Sequence, residues 1–152
     1  MGFMEAVRGC LRRYATFRGR ARRSEMWWFV LYGVLLAIPA NIAFLLLWSA
    51  AFEGSITGPA EDPAINPTAV SWGAFTAAIG VLLAYALLYT VPALAVQSRR
   101  LHDMGQPAWW LLLHLIGLGI VVLIMCAMRG QTGSNRHGPD PRLVPVPSRA
   151  TA

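Results

Sequence analysis

The stretch WWFVLYGVLLAIPANIAFLLLWSAAF, from Trp27 to Phe52, contains no charged residue. A hydrocarbon core about 30 Å thick is crossed by ~20 residues of α-helix, because each residue adds about 1.5 Å. The stretch is also longer than the apolar core of a signal peptide, which is about 7–15 residues. It therefore predicts a transmembrane helix that the mature protein retains.

Two further apolar runs, at about 72–97 and 108–128, lack Asp, Glu and Arg. Tryptophans stand at or near the start of all three runs, as they do at membrane interfaces. Lone strands cannot satisfy their backbone polar groups in lipid, so each run is expected to be helical. The predicted fold is an all-α integral membrane protein with three transmembrane helices, at about 27–52, 72–97 and 108–128.

The composition agrees with lipid as the main solvent. The chain has 152 residues, of which 56% are hydrophobic and 13% charged, whereas soluble domains carry about 25% charged residues. The formal net charge is +6, and every basic residue is Arg, which excludes the lysine of a P-loop or a Schiff base. These arginines border apolar runs, so anionic lipid is the expected partner and nucleic acid is not.

The positions of the arginines predict the orientation, since short cytoplasmic loops are rich in Lys and Arg. Seven arginines precede the first run, and Arg99 and Arg100 lie in the loop 98–107. The loop 53–71 has no Arg, and its charged residues are Glu53, Glu61 and Asp62. The N-terminus and loop 98–107 are therefore expected in the cytoplasm, and loop 53–71 outside.

The C-terminal tail, 129–152, leaves two arrangements open. Three complete crossings would place it outside, although it carries Arg129, Arg136, Arg142 and Arg149. A re-entrant hairpin that bends at Gly117–Gly119 would return it to the cytoplasm, provided that its backbone is buried in protein or in a wet cavity. The length of 108–128 favours one crossing and an external, largely irregular tail.

The N-terminal arm, 1–24, begins with apolar residues at helical spacing: Phe3, Val7, Leu11 and Tyr14. Arginines lie off that line, which predicts a short amphipathic cytoplasmic helix. The helix could lie on the cytoplasmic leaflet or pack against the transmembrane helices. The residues do not decide between these two.

Three polar islands interrupt the apolar chain: FRGRARRSEMWWF (Phe17–Phe29, the first island), RRLHDMGQPAWW (Arg99–Trp110, the second island) and GQTGSNRHGPDP (Gly130–Pro141, the tail island). In this order, with these runs between them, they resemble the bacterial inner-membrane family known as domain of unknown function 805. His137 stands where that family usually has an aromatic residue. The resemblance implies an inner-membrane location without an assigned activity.

The first island offers guanidinium groups that could clamp phosphates, or that could serve only as a topology signal. Its candidate residues are Arg18, Gly19, Arg20, Arg22, Arg23, Ser24 and Glu25. Ser24 is expected to cap the first transmembrane helix, with Glu25 in its first turn. A pairing of Glu25 with an arginine of the second island, to be tested by exchanging the charges of Glu25 and Arg100, is a further hypothesis.

The second island contributes Arg99, Arg100, His102 and Asp103. Helical spacing pairs Asp103 with either arginine and not with its neighbour His102, so a turn that fixes orientation is favoured over anion binding and a catalytic dyad. The tail island contributes Asn135, Arg136, Gly138, Pro139 and Asp140, residues typical of turns, with a ligand-contacting loop as the alternative. Gly130 is expected to cap the third helix.

Two polar residues fall within the apolar runs, Asn41 and His114, and a hydrogen bond between them is expected to assist packing. Catalytic, cofactor and metal residues are not expected, because the sequence has no nucleophile–base pair, phosphate loop or metal-ligand motif, and Cys10 and Cys126 form no CxxC.

The expected function is that of an accessory or structural protein of the bacterial inner membrane. Its expected partners are the bilayer and anionic lipid headgroups, with a second copy or another membrane protein as further candidates. An oligomeric solute transporter or channel component is one alternative, although the apolar runs lack the carboxylates that ion coupling usually needs. A lipid-modifying membrane enzyme is the other.

Overall fold

The computed structural model describes residues 2–58 and 64–143. These residues are mostly helical, and the α-helices are α1 (Phe3–Arg12), α2 (Arg23–Phe52), α3 (Trp72–Asp103) and α4 (Gly119–Ala127). Two 3-10 helices, Pro67–Ala69 and Ala108–Ile116, and two short antiparallel strands, β1 (Ile56–Thr57) and β2 (Ala64–Ile65), complete the secondary structure.

Helices α2 and α3 are long and apolar enough to cross a membrane, and they are the two such helices in the described part of the chain. They contain the first two predicted runs. Both continue through an internal proline, Pro39 in α2 and Pro92 in α3. Helix α3 extends to Asp103, so most of the expected loop 98–107 is helical. Helix α2 begins at Arg23, which puts Ser24 inside the first turn and not at the expected cap.

The third apolar run is divided, which corrects the prediction of one continuous helix over 108–128. The 3-10 helix Ala108–Ile116 ends at Gly117, whose φ of 78° is left-handed, and α4 starts two residues later. The amide of Leu118 donates to the carbonyl of Leu113 and closes the turn. Three complete crossings are therefore not confirmed, and the chain bends at the glycines named by the re-entrant alternative.

The chain divides into two compact units, of which one is Gly33–Tyr89. In this unit Trp48 lies at the centre of an aromatic cluster, with ring centroids 5.1 Å from Phe52 and 5.6 Å from Phe75. Gly33 allows the ring of Tyr89 to approach the α2 backbone, where any Cβ would overlap it. Asn41 donates its side-chain amide to the Ala37 carbonyl of its own helix at 2.8 Å.

The other unit joins the two ends of the chain, Met1–Tyr32 and Thr90–Ala152. Its core buries Met26 and Phe29 of α2 and Leu101 of α3. Helix α1 buries Ala6, Val7 and Cys10, and its exposed side carries Arg8 and Arg12. Of the four apolar residues that the sequence placed on one face, only Val7 is fully buried. Leu11 is half-buried, and Tyr14 lies beyond the end of the helix and is exposed.

Residues 129–143 form turns and no helix. Some residues named in the sequence analysis lie outside the described part of the chain. They are Glu61, Asp62 and Arg149, the last within 144–152.

Candidate functional site

Asp103, the last residue of α3, lies at the centre of a buried ionic cluster. Its Oδ1 accepts a hydrogen bond from Arg20 Nε at 2.9 Å and forms an ion pair with Arg20 Nη2 at 2.8 Å. Arg100 Nη1 donates to Oδ2 from the preceding helical turn. The three side chains are at most 5% exposed. Each carboxylate oxygen is thus held by a guanidinium, which offsets the cost of removing three charges from water.

Arg20 also fastens the tail island to this cluster. Its Nη2 donates to the carbonyl of Gln131 at 2.6 Å, and its Nη1 donates to the carbonyl of Gly133 at 2.5 Å. The amide of Gln131 in turn donates to the Asp103 carbonyl at 2.8 Å. Arg22 makes a parallel contact from its Nε to the Pro141 carbonyl at 2.6 Å. The first, second and tail islands therefore meet in one place.

The C-terminal end of α4 is held by two arginines from other elements. Arg100 Nε donates to the Cys126 carbonyl at 2.9 Å, and Arg100 Nη2 donates to the Met128 carbonyl. Arg23 Nε reaches the same Met128 carbonyl at 2.9 Å. The last carbonyls of a helix lack partners within it, and these guanidiniums supply them.

Gly130 permits the tail to pass Asp103 at close range. A Cβ at this position would overlap the Asp103 carboxylate. Gly130 is not the left-handed helix cap that the sequence predicted, since α4 ends with Met128 as its C-cap in extended conformation. Its function is to leave space for a buried ion pair.

A second buried cluster surrounds Glu25 in the first turn of α2. The Oε1 atom accepts from Arg99 Nη1 at 2.8 Å, from Arg13 Nη2 at 2.8 Å and from the Cys10 thiol at 3.6 Å. Glu25 therefore pairs with an arginine of the second island, as the sequence suggested, and that arginine is Arg99, while Arg100 pairs with Asp103. Burial, followed by the charge of Glu25, raises the pKa of the Cys10 thiol to about 12. This cluster fixes α1 against α2 and α3.

The imidazole of His137 stacks on that of His102, with ring centroids 3.9 Å apart and planes inclined by 4°. His137 thus supplies the flat ring expected from an aromatic residue at its position. His102 Nδ1 lies 3.3 Å from the Gly19 carbonyl, and Asn135 Nδ2 donates to the His102 carbonyl at 2.9 Å. Partial burial, with the charges of neighbouring groups, lowers the pKa of His137.

Asp140 organises the end of the tail island. It accepts from the Gly133 amide at 3.1 Å and from Arg142 Nη2 at 2.7 Å. The hydrogen bonds from Arg142 hold the pKa of this carboxyl well below its usual range. These bonds connect the Asp140 carboxylate to both ends of the turn from Gly133 to Arg142.

A cavity of about 490 Å³ lies between the start of α2, the end of α3 and the tail. Five guanidinium groups and one carboxylate contribute to its lining: Arg22, Arg23, Arg100, Arg129, Arg142 and Asp103. Arg129 is exposed and makes no hydrogen bond or ion pair within residues 2–58 and 64–143. The cavity thus has an excess of positive charge and a free donor group.

Most of the predicted site residues contribute to these clusters. Arg20, Arg22, Arg23, Ser24, Glu25, Arg99, Arg100, His102, Asp103, Asn135 and Asp140 line the cavity or make the contacts described above. Gly138 gives its carbonyl to Arg20 at 3.3 Å, and Arg136 donates to the Gly105 carbonyl at 3.0 Å. Arg18 and Pro139 are exposed and lie outside the clusters. His114 lies 3.1 Å from the Leu111 carbonyl of its own segment, and its predicted bond to Asn41 stays a prediction.

Several site residues were not among the predicted ones: Cys10, Arg13, Arg129, Gly130, Gln131 and Arg142. Arg13 and Cys10 belong to the N-terminal arm, for which the sequence left contact with lipid and packing against the transmembrane helices equally open. Gln131 and Gly133 act through backbone carbonyls, which leave no signature in the side chains. The clustering of Arg129 and Arg142 in the tail was visible, but an external tail would have kept them from the other islands.

The family model described as "Protein of unknown function (DUF805)" matches residues 14–139, which include the first and second islands and the tail island as far as Pro139. This chain belongs to that family. Two relatives from Escherichia coli K12 are the inner membrane protein YhaH, 34% identical over 89% of this chain and 94% of its own, and the inner membrane protein YhaI, 30% identical over 87% and 91%. No solved structure matches the chain. The names of these relatives and the two long apolar helices agree with a small inner-membrane protein.

Proposed function

We propose that this protein is a non-catalytic accessory protein of the bacterial inner membrane, and that its cytoplasmic face holds anionic lipid headgroups. The observation that carries the proposal is the junction of the three islands at Arg20 and Asp103, which gathers the arginines at one site. The same unit exposes further arginines at its surface: Arg8, Arg12, Arg18, Arg129 and Arg136. Each basic residue near an anionic leaflet contributes about 1 kcal/mol of attraction.

The proposal includes a cytoplasmic C-terminal tail and a re-entrant third apolar run, in place of the external tail predicted first. The 3-10 helix Ala108–Ile116 and α4 each have nine residues. At about 1.5–2 Å per residue, neither reaches across a hydrocarbon core of about 30 Å. The bonds from Arg20 and Arg22 to the tail carbonyls support the same arrangement. The arginines of the described residues then all lie on the cytoplasmic side, in agreement with the positive-inside rule.

The lipid bilayer itself is the second proposed partner. Helix α2 exposes large apolar side chains along its length, among them Leu35, Leu45 and Leu46. Water would hydrate this surface unfavourably, whereas lipid tails cover it without cost. Trp27 and Trp28 are exposed near the start of α2, where aromatic rings favour the headgroup region.

A catalytic role is disfavoured by the state of the reactive groups. The Asp103 carboxylate is occupied by Arg20 and Arg100, so it is not free to accept a proton from a substrate. The Cys10 thiol is buried, and with a pKa of about 12 it forms little of the reactive thiolate at neutral pH.

The topology can be tested with single cysteines in a background in which Cys10 and Cys126 are replaced by alanine. Ser134→Cys and Thr16→Cys lie at exposed positions of the tail and the N-terminal arm, and Thr57→Cys lies in the loop 53–71. A membrane-impermeant maleimide applied to spheroplasts should label Thr57→Cys alone, and the other two only after permeabilisation. Labelling of Ser134→Cys in intact spheroplasts would place the tail outside and overturn the proposed topology.

Lipid retention can be tested on purified protein in neutral detergent. Phosphatidylglycerol should raise the unfolding temperature and remain bound in native mass spectrometry, because a ligand of the folded state stabilises it. Phosphatidylcholine, with equal acyl chains and no net charge, is the matched control. Equal retention of both lipids would refute a role in holding anionic headgroups.

A further inference from the structure

We infer that the arginine-lined cavity between the start of α2, the end of α3 and the tail binds a phosphate monoester, with the phosphate of a lipid headgroup as the favoured source. The inference rests on the proposed contact with anionic headgroups and narrows it to one pocket and one chemical group. A volume of about 490 Å³ falls within the range of small-ligand sites, about 300–1,000 Å³.

The arginines that line the cavity differ in how many of their guanidinium nitrogens already make hydrogen bonds within the protein. Arg100 is committed to Asp103 and to the carbonyls at the end of α4, and Arg142 is committed to Asp140 and Gln131. Arg23 uses only its Nε, toward Met128, within the described residues. Its two terminal nitrogens, and the whole guanidinium of Arg129, therefore remain available to an anion.

The cavity also includes the start of a long helix. Ser24 in the first turn of α2 lines it, and the 30-residue helix leaves its first amides without partners in the helix. The positive end of the helix dipole and these amides favour a phosphate group. Thr132 of the tail also lines the cavity and adds a hydroxyl. A phosphate monoester offers three terminal oxygens, which match this spread of donors better than the two oxygens of a carboxylate.

The position of the cavity along α2 favours a lipid as the source of the phosphate. Trp27 and Trp28 follow Ser24 by three and four residues, so they lie on the same side of the helix as the cavity. Exposed tryptophans mark the level of the headgroups. A phosphatidic-acid headgroup at that level would enter the cavity while its acyl chains stay beside α2. A soluble phosphate ester offers the same chemistry and would enter from the cytoplasm.

The test compares Arg129→Gln and Arg23→Gln/Arg129→Gln with a matched control, Arg8→Gln/Arg12→Gln, which removes two exposed arginines of α1. The full-length proteins are titrated in neutral detergent with dioleoyl phosphatidic acid, and retention is measured by native mass spectrometry. Loss of two charge-assisted contacts should weaken binding by about tenfold or more in the double variant. The control should stay within about twofold, and Arg129→Lys should retain much of the affinity because it keeps the charge.

The outcomes distinguish a failure of the proposed phosphate site from a failure of the proposed function. Equal, small losses in the cavity variants and in the α1 control would overturn the pocket and leave the proposed function intact. No effect of any anionic lipid on any protein would overturn both.

A competition experiment identifies the source of the phosphate, with glycerol 3-phosphate and inorganic phosphate added as competitors. Failure to displace phosphatidic acid supports the lipid, whereas displacement at comparable concentration assigns the cavity to a soluble phosphate. Unfolding temperatures without ligand check that each variant is folded, and Arg129→Gln, whose side chain has no partner to lose, remains informative if the double variant is unstable.

Discussion

Arg20 and Asp103 are 83 residues apart in the chain, and two nitrogens of the guanidinium contact one oxygen of the carboxylate at 2.9 and 2.8 Å. The same arginine binds the carbonyls of Gln131 and Gly133. One side chain thus connects the first island, the end of α3 and the tail. Because its charge is buried, this connection depends on the presence of the carboxylate.

Asp103→Asn should therefore destabilise the protein strongly. The substitution leaves Arg20 and Arg100 buried without their anion, and breaking a buried ion pair in this way costs about 3–5 kcal/mol. Thermal unfolding in neutral detergent would measure the loss. Glu53→Gln, which removes an exposed carboxylate of the loop 53–71, is the control and should change stability little. A similar small change in both variants would contradict the central role of Asp103.

Gly130→Ala should cause a comparable defect without any change of charge. The added methyl group would overlap the Asp103 carboxylate, so either the ion pair or the tail must move. Gly73→Ala is the matched control, since its Cβ would meet nothing within 4 Å in a helical position. Alanine there should be neutral or stabilise α3 by up to about 1 kcal/mol. The unfolding temperatures of the two variants test whether the close approach of Gly130 to Asp103 contributes to stability. An unchanged unfolding temperature of Gly130→Ala would show that this approach has no structural role.

The sequence predicts those features of the fold that depend on residues close together in the chain. Helices α2 and α3 follow from uncharged runs long enough to cross a membrane, so their existence was predicted, although α2 begins four residues earlier and α3 ends six residues later than predicted. The pair Arg100–Asp103 follows from helical spacing. These features depend on residues close in sequence.

The third apolar run was ambiguous because its length satisfies both a single crossing and a hairpin. Gly117 and Gly119 were visible as the site of a bend, but the contacts that support the proposed hairpin join Arg20 and Arg22 to backbone carbonyls more than 100 residues away. No pattern of side chains in the tail encodes those acceptors. The choice between Arg99 and Arg100 as the partner of Glu25 was equally beyond local spacing, since it depends on which side of α3 faces α2.

Low pH should weaken the docking of the tail through His137. Because the pKa of His137 is lowered in the folded protein, its contribution to docking is complete above the usual pKa of about 6.5 and declines as the pH falls below it. The groups that face it are His102, Arg136 and Arg20, none of which is acidic. Asp140 does not contribute in this range, since its depressed pKa preserves its effect down to the usual carboxyl pKa of about 3.9.

His137→Phe tests this mechanism, because phenylalanine keeps a flat ring against His102 but cannot be protonated. The drop in unfolding temperature between pH 7 and pH 5 should be smaller in the variant than in the unmodified protein. Hydrogen-exchange protection of residues 131–138 at the two pH values would localise the effect to the tail. An equal drop in both proteins would exclude His137 as the titrating group.

Glu25→Gln should release α1 and make Cys10 reactive. Without the carboxylate, Arg13 and Arg99 lose their shared anion, and the thiol, whose pKa in the unmodified protein is about 12, loses the neighbouring negative charge and part of its burial. Both the thiolate fraction of Cys10 and its accessibility should rise, so maleimide labelling at pH 7.5 should be faster by about tenfold or more. In a Cys126→Ala background, Cys10 is the only thiol to be labelled.

A charge exchange tests which arginine holds Glu25. The double variant Glu25→Arg/Arg99→Glu should restore part of the protection of Cys10. The double variant Glu25→Arg/Arg100→Glu should not, because it places a second carboxylate beside Asp103 and leaves Arg99 unpaired. Equal labelling rates in the two exchanges would contradict the assignment of Arg99 as the partner that holds Glu25.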